Sequence, residues 1–391
     1  MPGPTQAAPS GRRTPRVVSF AGPRAVTVVE EAPEELPPGG VRVRTLFSGI
    51  SAGTEMTAYR GSNPYLTKHW DVGRRLFTGG SSTFAYPVVG WGYSEVGEVV
   101  EVGRAVGVDR AVGVDRAAGS GGPADAPPPG TGPAPLSVGD VVFGAWGHRT
   151  EAVLPAATLA GNRMPVGVDP LAGVFARVGA IALNAVLAAD VHLGEVVAVF
   201  GQGVLGLLVT RFAALSGATV VAVDALAPRL ELARHLGADH LVDAGAGDAG
   251  DLVKDVVPGG VDVAVEISGS YRALHEATRA VVPGGRVVAA GFYQGEGAGL
   301  SLGEEFHHNR VQVVASQIGS VPVSLAHRWT RDRLHHVVMS LLAGGRLDVA
   351  PLVTHVVPLE DAAEAYRQLD EEPARTLQVV LDLRAAGRFA S

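Results

Sequence analysis

The hydrophobic pattern changes character near residue 170. Before it, apolar and polar positions alternate over short stretches. Residues 41–46 (VRVRTL) have the period of a half-buried strand and lead into a turn over 48–53. Residues 92–103 (GYSEVGEVVEVG) alternate likewise, with glycines where strands bend or bulge, and 137–143 (SVGDVVF) return to strand character. After residue 170 the apolar segments lengthen. Residues 171–189 are small and apolar, which suits a buried helix. A strand at 196–200, a glycine turn, a helix at 204–215 and a strand at 220–224 follow. Next come a helix at 228–236 and strands at 240–242 and 262–267, then a helix at 271–281 and a strand at 286–290. Strands alternating with helices at this spacing predict α/β architecture, with a parallel, doubly wound sheet beside a smaller β-rich unit. A helix at 331–342, a strand at 352–358, a helix at 359–369 and a strand at 378–383 close the chain. The last strands are expected to rejoin the β-rich unit.

The expected layout is therefore a disordered arm over 1–16, the β-rich unit over 17–170, the doubly wound unit over 171–319, and a return segment over 320–391. Inside the β-rich unit the hexapeptide RAVGVD occurs twice, at 104–109 and 110–115, and 117–135 read AAGSGGPADAPPPGTGPAP. Such a stretch builds no core, so 104–136 is expected to be a flexible surface insertion. Two copies of a hexapeptide are too few to stack as a solenoid.

Composition narrows the chemistry. The 391 residues are 47% hydrophobic and 18% charged, enough apolar material for a sizeable core. The net charge of −7 gives no global basic surface for nucleic acid or anionic lipid. Cysteine is absent, which excludes disulfides, thiolate metal sites and cysteine nucleophiles. No apolar run approaches the roughly 20 residues of a membrane span, and the arm lacks an apolar signal core, so a cytoplasmic protein is expected.

The strongest motif is Gly201-Gln202-Gly203-Val204-Leu205-Gly206. It follows a five-residue apolar strand and opens an apolar helix, and Asp224 lies at the end of the next strand, 18 residues beyond Gly206. That is the context of a dinucleotide-binding turn. Gly201 permits the tight turn, Gly203 lets the backbone approach a pyrophosphate, and Gly206 lets the helix pack on the sheet. The helix start offers free N–H groups to the phosphates. A carboxylate at Asp224 accepts hydrogen bonds from ribose hydroxyls and repels the additional phosphate of NADP, so NAD is the expected cofactor. Arg229 is expected to pack along the adenine. Ser268 and Gly291 follow the fourth and fifth strands of this unit, where ligands bind in such sheets, and are expected at the nicotinamide half.

With these stretches in place, the chain resembles the medium-chain dehydrogenase/reductase superfamily, the fold of zinc alcohol dehydrogenases. The resembling segments are FSGISAGTEMTAYRG (47–61), YPVVGWGYSEVGEVVEVG (86–103), SVGDVVFGAWGHRTEAVLP (137–155), VAVFGQGVLGLL (197–208) and PLVTHVVPLEDAAEAY (351–366). Its SGIS-x-GTE form is similar to the branch holding bacteriochlorophyllide dehydrogenases. The resemblance implies a GroES-like catalytic domain, a Rossmann cofactor domain, hydride chemistry on a small-molecule substrate, and a homodimer paired through cofactor-domain edge strands. It also exposes departures. Ser51 stands where zinc members carry a metal-binding Cys, Tyr93 where they carry a His, and Ala176, beside Arg177, at the third ligand position. The four-Cys structural zinc loop is missing. Hydroxyl, phenol and methyl do not replace thiolate and imidazole, so no metal is expected. Among the histidines, the pairs His307-His308 and His335-His336 are read as surface or packing residues, since neighbours diverge on a helix or strand. His148 is a minor candidate near the cleft.

Without zinc, hydrogen-bond donors or an acid/base must handle the alcohol proton. Tyr93 is the expected acid. By the resemblance, Thr54 matches a proton-relaying hydroxyl and Glu55 a carboxylate near the metal, here free to act as a base or to orient Tyr93. Ser51 is expected to hydrogen-bond the substrate oxygen. Asn63, Lys68, His69, Trp70 and Trp91 are expected to roof the pocket, and residues 304–310 (EEFHHNR) to reach the nicotinamide or a subunit neighbour. The expected function is a zinc-independent, NAD-linked oxidoreductase interconverting a secondary alcohol and a ketone on a polar, polyol or sugar-like substrate. Two alternatives stay open: an NADPH-dependent quinone or enone reductase, and a non-catalytic dinucleotide-binding redox sensor.

Overall fold

The computed structural model describes residues 14–104 and 133–386. The expected arm up to residue 13 and the RAVGVD duplication with most of the insertion lie outside the described residues. The arm is shorter than expected at its end. Arg16 begins the strand Arg16–Gly22, its backbone N–H donates to Thr150 Oγ1, and its guanidinium pairs with Glu360.

Strand-forming valines in the second unit assemble a six-stranded, all-parallel sheet. Its order runs His240–Asp243, Thr219–Asp224, Val196–Phe200, Val261–Glu266, Val281–Ala289, Gln312–Ala315. Val196–Phe200 neighbours both the second and the fourth strand of this sheet, so the strand order reverses there. The crevice beyond the carboxyl ends of Val196–Phe200 and Val261–Glu266 is the place where such sheets bind ligands. Val196–Phe200 is buried along most of its length, as a parallel strand covered on both faces must be.

The first unit is a mixed sheet ordered Val353–Pro358, Gln378–Asp382, Gly40–Ile50, Glu95–Val102, Val141–Gly144, with Glu151–Pro155 also on Gly40–Ile50. The carboxyl-terminal strand Gln378–Asp382 runs antiparallel to residues 47–50, so the chain's end closes onto the segment that carries Ser51 and Glu55. The turn expected over 48–53 is shorter than that. Gly40–Ile50 continues through Ser48, and Thr54–Arg60 then forms a short helix.

Between the units lies the helix Phe175–Ala189, preceded by a 3-10 turn at Pro170–Val174. Residues 170–189 are long and apolar enough to cross a membrane by length and composition, but two-thirds of that span is buried inside the fold. Its Ala/Gly-rich surface admits close neighbours. A Cβ on Gly179 would sit 2.6 Å from Val338 Cγ1, on the helix Arg331–Ala343. Overpacking a close crossing costs about 1–3 kcal/mol. Gly179→Leu should lose about that much in denaturant melts, and adding Val338→Ala should restore part of it.

Candidate functional site

The glycine turn is shaped by contacts that leave no room for side chains. Gly201 has φ +93°, and a Cβ there would meet Ser268 Cβ at 2.8 Å. A Cβ on Gly206 would lie 1.7 Å from the Gly201 carbonyl oxygen. At Gly203 the nearest atom a Cβ would meet is Arg229 Nη1, at 3.9 Å, so the backbone there is open to the cleft. Gly203 is the N-cap of Val204–Leu215 and brings no capping side chain. The helix's first N–H groups therefore point at the cleft with no side chain competing for them.

Asp224 sits beside this turn. Its Oδ2 accepts from the Gln202 N–H at 2.6 Å and its Oδ1 from the Leu226 N–H at 2.9 Å. Each carboxylate oxygen retains further acceptor capacity. Two cavities share Gly201, Asp224 and Ser268. One, about 300 Å³, is lined by Val223, Ala225, Ala244 and Arg272; the other, about 270 Å³, by Ser51, Gly203, Val204, Leu205, Gly206 and Arg229. The two cavities adjoin at these residues, with the Asp224 carboxylate common to both. A dinucleotide fits these residues: phosphates at the open Gly203 backbone, ribose at Asp224.

Two residues sit differently from the sequence expectation. Gln202 turns its side chain inward, donating to the Val199 carbonyl at 2.9 Å and accepting from Thr210 Oγ1 at 3.0 Å, so only its backbone belongs to the turn. Arg229 lines the glycine-turn cavity rather than the one beyond Asp224, and its Nη2 donates to the Pro373 carbonyl at 2.7 Å. It ties the cofactor unit to the return segment. Ser268 and Gly291 flank a buried carboxylate. Glu266 accepts from the Ser268 N–H at 2.8 Å, the Gly269 N–H at 3.2 Å, and the hydroxyls of Ser268 and Tyr293. Burial pushes its pKa up, against the pull of these donors. A Cβ on Gly291 would stand 2.3 Å from the Gly269 nitrogen, so glycine is required there.

Across the cleft, Tyr93 donates its hydroxyl to Ser51 Oγ at 2.5 Å. Ser51 is also a lining residue of the glycine-turn cavity, so the expected acid is hydrogen-bonded to a residue that shares a cavity with the turn. Burial raises the Tyr93 pKa above its usual 10, and the Glu55 charge raises it further; hydrogen bonds to Ser51 and Thr54 and the Arg177 cation pull the other way. The phenol is thus a proton donor at neutral pH.

Glu55 belongs to a chain of buried groups. Its Oε2 accepts from Tyr366 at 2.8 Å and meets His148 Nε2 at 2.7 Å. His148 Nδ1 meets Ser48 Oγ at 2.6 Å, Ser48 donates to Glu95 Oε1 at 3.1 Å, and Glu95 Oε2 accepts the Trp146 N–H at 2.8 Å. With Ser48 donating onward, both ring nitrogens of His148 act as donors, as in an imidazolium. Burial pulls the His148 pKa down, Glu55 and Glu95 pull it up more, and the net shift is upward. Glu55 Oε1 has no partner among the described residues.

The sequence reading missed Ser48, Glu95 and Tyr366 as members of this cluster, and gave His148 a minor place. No spacing signal links them: Tyr366 is 311 residues from Glu55. The expected roof is only partly a roof. Asn63 is buried and structural, donating to Thr57 Oγ1 at 2.6 Å and capping Tyr65. Lys68 and His69 are exposed, while Trp70 packs on Phe77 and Trp91 on Phe84. In the segment 304–310, Glu305 pairs with Arg279 at 3.2 Å, and His307 and His308 are exposed. Ala176 is buried, and Ser51 and Tyr93 are engaged with each other. Among the described residues, the grouping tight enough for a metal is His275, Glu304 and Glu305, on the cofactor unit.

Residues 204–333 match the zinc-binding dehydrogenase family. D-guloside 3-dehydrogenase of Escherichia coli K12 is 28% identical over 91% of this chain and 97% of its own length. The 2R,3R-butanediol dehydrogenase of Bacillus subtilis superposes with a TM-score of 0.70 at 22% identity, over 94% of this chain and 99% of that one. A short chain alcohol dehydrogenase of Escherichia coli CFT073, solved with NADH, gives 0.69 at 18% over 95% and 100%. The fold is the two-domain α/β fold of medium-chain alcohol dehydrogenases. Together the matches support the zinc-binding dehydrogenase superfamily for this chain, and within it a dinucleotide-linked oxidoreductase of the alcohol dehydrogenase type.

Removing one partner of a buried ion pair costs about 3–5 kcal/mol. His148→Ala, which strands Glu55 and Glu95, should lose about that in denaturant melts. Because the folded pKa of His148 is raised, its stabilisation is complete below the ordinary histidine value near 6.5 and is lost as pH climbs through the folded value. Glu95, whose pKa burial also raises, acts in the same direction. The melting temperature should therefore fall above about pH 6.5, with a smaller fall in His148→Ala.

Proposed function

We propose that this protein is an NAD-linked oxidoreductase that works without zinc, interconverting a secondary alcohol and a ketone on a polar, polyol or sugar-like substrate. The observation that carries this reading is one cleft lined by both the Gly201–Gly206 turn and Ser51, with Ser51 holding the Tyr93 hydroxyl. The relative acting on a D-guloside, aligned along nearly its whole length, supports the substrate class.

Three features support the finer choices. Asp224 lines both cavities, where a second anion on the ribose would be repelled. Ser51, Tyr93 and Ala176 offer no thiolate or imidazole, so zinc does not fit these three positions. Strand Gln312–Ala315 is exposed along an open sheet edge, which supports pairing of two copies there.

The nicotinamide, when bound, supplies the hydride exchange at the substrate carbon. The chain supplies proton handling and orientation. Tyr93 keeps its proton and donates to Ser51 Oγ, which leaves the Ser51 hydrogen free to donate to a ketone oxygen. As negative charge develops on that oxygen, the two hydroxyls stabilise it in sequence. In the oxidising direction the alcohol proton runs the same path in reverse, through Ser51 to Tyr93, and Glu55, whose charge acts on Tyr93 and whose Oε1 is buried and unpartnered among the described residues, is the carboxylate available to take it up. Until it does, the His148 imidazolium compensates the Glu55 carboxylate.

Calorimetric titration of metal-analysed protein with NADH and NADPH tests the reading. A hydrogen bond to a charged group is worth about 1.5–3 kcal/mol, so NADH should bind roughly tenfold or more tighter, and Asp224→Ala should erase the preference. Zinc should be far below one equivalent. Preference for NADPH would favour the enone reductase, and binding of neither nucleotide would favour the non-catalytic alternative. Tyr93→Phe should lower kcat by about 10²–10⁴, with NADH affinity unchanged.

A further inference from the structure

His148 is fully buried, and both of its ring nitrogens are engaged. Nε2 lies 2.7 Å from Glu55 Oε2 and Nδ1 2.6 Å from Ser48 Oγ, while the Ser48 hydroxyl donates onward to Glu95 Oε1 at 3.1 Å. The titratable groups facing the ring are Glu55 from the short helix Thr54–Arg60, Glu95 from the strand Glu95–Val102, and Tyr366 from the helix Ala362–Glu371, whose ring centroid is 6.3 Å away. A neutral imidazole has one N–H and cannot donate at both nitrogens. With Ser48 donating to Glu95, the bonds on Nδ1 and Nε2 need the doubly protonated ring. Burial opposes that charge, the two carboxylates favour it, and the net shift of the pKa is upward.

The same ring lies against the backbone that leads into Tyr93. Gly92 has φ +151°, and a Cβ there would stand 2.8 Å from His148 Nε2, 2.9 Å from its Cε1 and 3.0 Å from Glu95 Oε1. Just beside this contact, a Cβ on Gly147 would meet the Gly90 carbonyl oxygen at 2.2 Å. The segments 90–92 and 147–148 therefore touch with no intervening side chain to absorb a displacement. The next residue after Gly92 is Tyr93, whose hydroxyl meets Ser51 Oγ at 2.5 Å. Ser51 in turn stands three residues before Thr54, which opens the helix carrying Glu55. Through one hydrogen bond and one backbone contact, the His148 ring reaches the segments that carry both members of the Tyr93–Ser51 pair.

We propose that His148 is a positioning residue for Tyr93: its doubly protonated ring, braced between Glu55 and Ser48 and laid on the Gly92 backbone, sets where the Tyr93 hydroxyl meets Ser51. This rests on the alcohol oxidoreductase reading, in which Tyr93 is the acid, and names what holds that acid in place. Loss of the ring proton changes the bonding around it. Nδ1 becomes an acceptor, the Ser48 hydroxyl turns from Glu95 to Nδ1, and Glu95 Oε1 loses that donor. Glu95 Oε1 is also the oxygen against Gly92, so the change arrives at the backbone just before Tyr93. Proton donation through Ser51 then declines as pH climbs through the folded value of His148, although Tyr93 itself stays protonated.

The test is NMR on the full chain, with isotope labels on the histidine ring nitrogens and on tyrosine Cζ. His148→Gln and Tyr93→Phe assign the two signals. At about pH 6, below the ordinary histidine value, both His148 nitrogens should carry a proton. On raising the pH, the Tyr93 signal should shift with the same midpoint as the His148 nitrogens, and His148→Gln should abolish that shift. Gly92→Ala adds a methyl group against the ring and alters no titrating group, so it should displace the Tyr93 signal while His148 is still charged. A singly protonated His148 at that pH, a Tyr93 signal that does not follow it, or one that titrates unchanged in His148→Gln would overturn the proposal. The unsubstituted chain decides the first two outcomes without any variant. No nucleotide or substrate is present, so failure here is distinct from failure of the oxidoreductase reading, which shows as loss of nucleotide binding in the NADH titration.

Discussion

A carboxylate with no exposed surface must find its compensation inside the fold, and Glu55 finds it in His148 and Tyr366. Those three residues come from the short helix after the first long strand, from the loop before Glu151–Pro155, and from the carboxyl-terminal helix Ala362–Glu371. The cluster is complete only once all three segments are docked. Its second half, through Ser48 to Glu95, locks the strands Gly40–Ile50 and Glu95–Val102 into the same chain of hydrogen bonds. The ordering is costly in entropy and in desolvation, and leaving any member unpaired would cost more. This network sets the backbone that carries Ser51 and Tyr93. Their 2.5 Å hydrogen bond depends on it.

The opposite wall of the cleft is held by sterics rather than charge. Gly201, Gly206 and Gly291 each sit where a single added carbon would strike backbone or a neighbouring side chain, so the turn and the strand ends close tightly on one another. What remains open is Gly203 and the helix start behind it. Asp224 is oriented by two backbone N–H donors before any ligand arrives, which reduces the reorganisation a ribose would have to drive. Arg229 then connects this wall to the return segment through the Pro373 carbonyl, and both residues line the glycine-turn cavity.

In the proposed reaction, proton handling is spread over several side chains rather than gathered on a metal. The Tyr93 phenol is kept protonated by burial and donates to Ser51, and the His148 imidazolium compensates the Glu55 carboxylate.

Strong, local patterns were legible directly. The strand Val196–Phe200 and the helix Val204–Leu215 fall at the bounds that hydrophobic periodicity and the glycine turn indicate, because apolar runs and glycine sterics act over a few residues. Weak local patterns were not. The helix Ala249–Val256 spans barely two turns, Gln312–Ala315 is a four-residue exposed edge, and the hairpin of Arg16–Gly22 with Ala25–Glu30 turns at Pro23-Arg24 without an Asn-Gly signal. In the site, Ser51, Tyr93, the glycine turn and Asp224 were all recognisable as residue types in sequence context. The inward turn of Gln202, the place of Arg229, and the partners of Glu55 were not, because hydrogen bonds across hundreds of residues leave no periodicity behind. By itself the sequence determined the nucleotide-binding wall, whose geometry is local. Tertiary structure alone decided the wall of buried charges around Glu55, since those charges compensate one another only after distant segments are buried together.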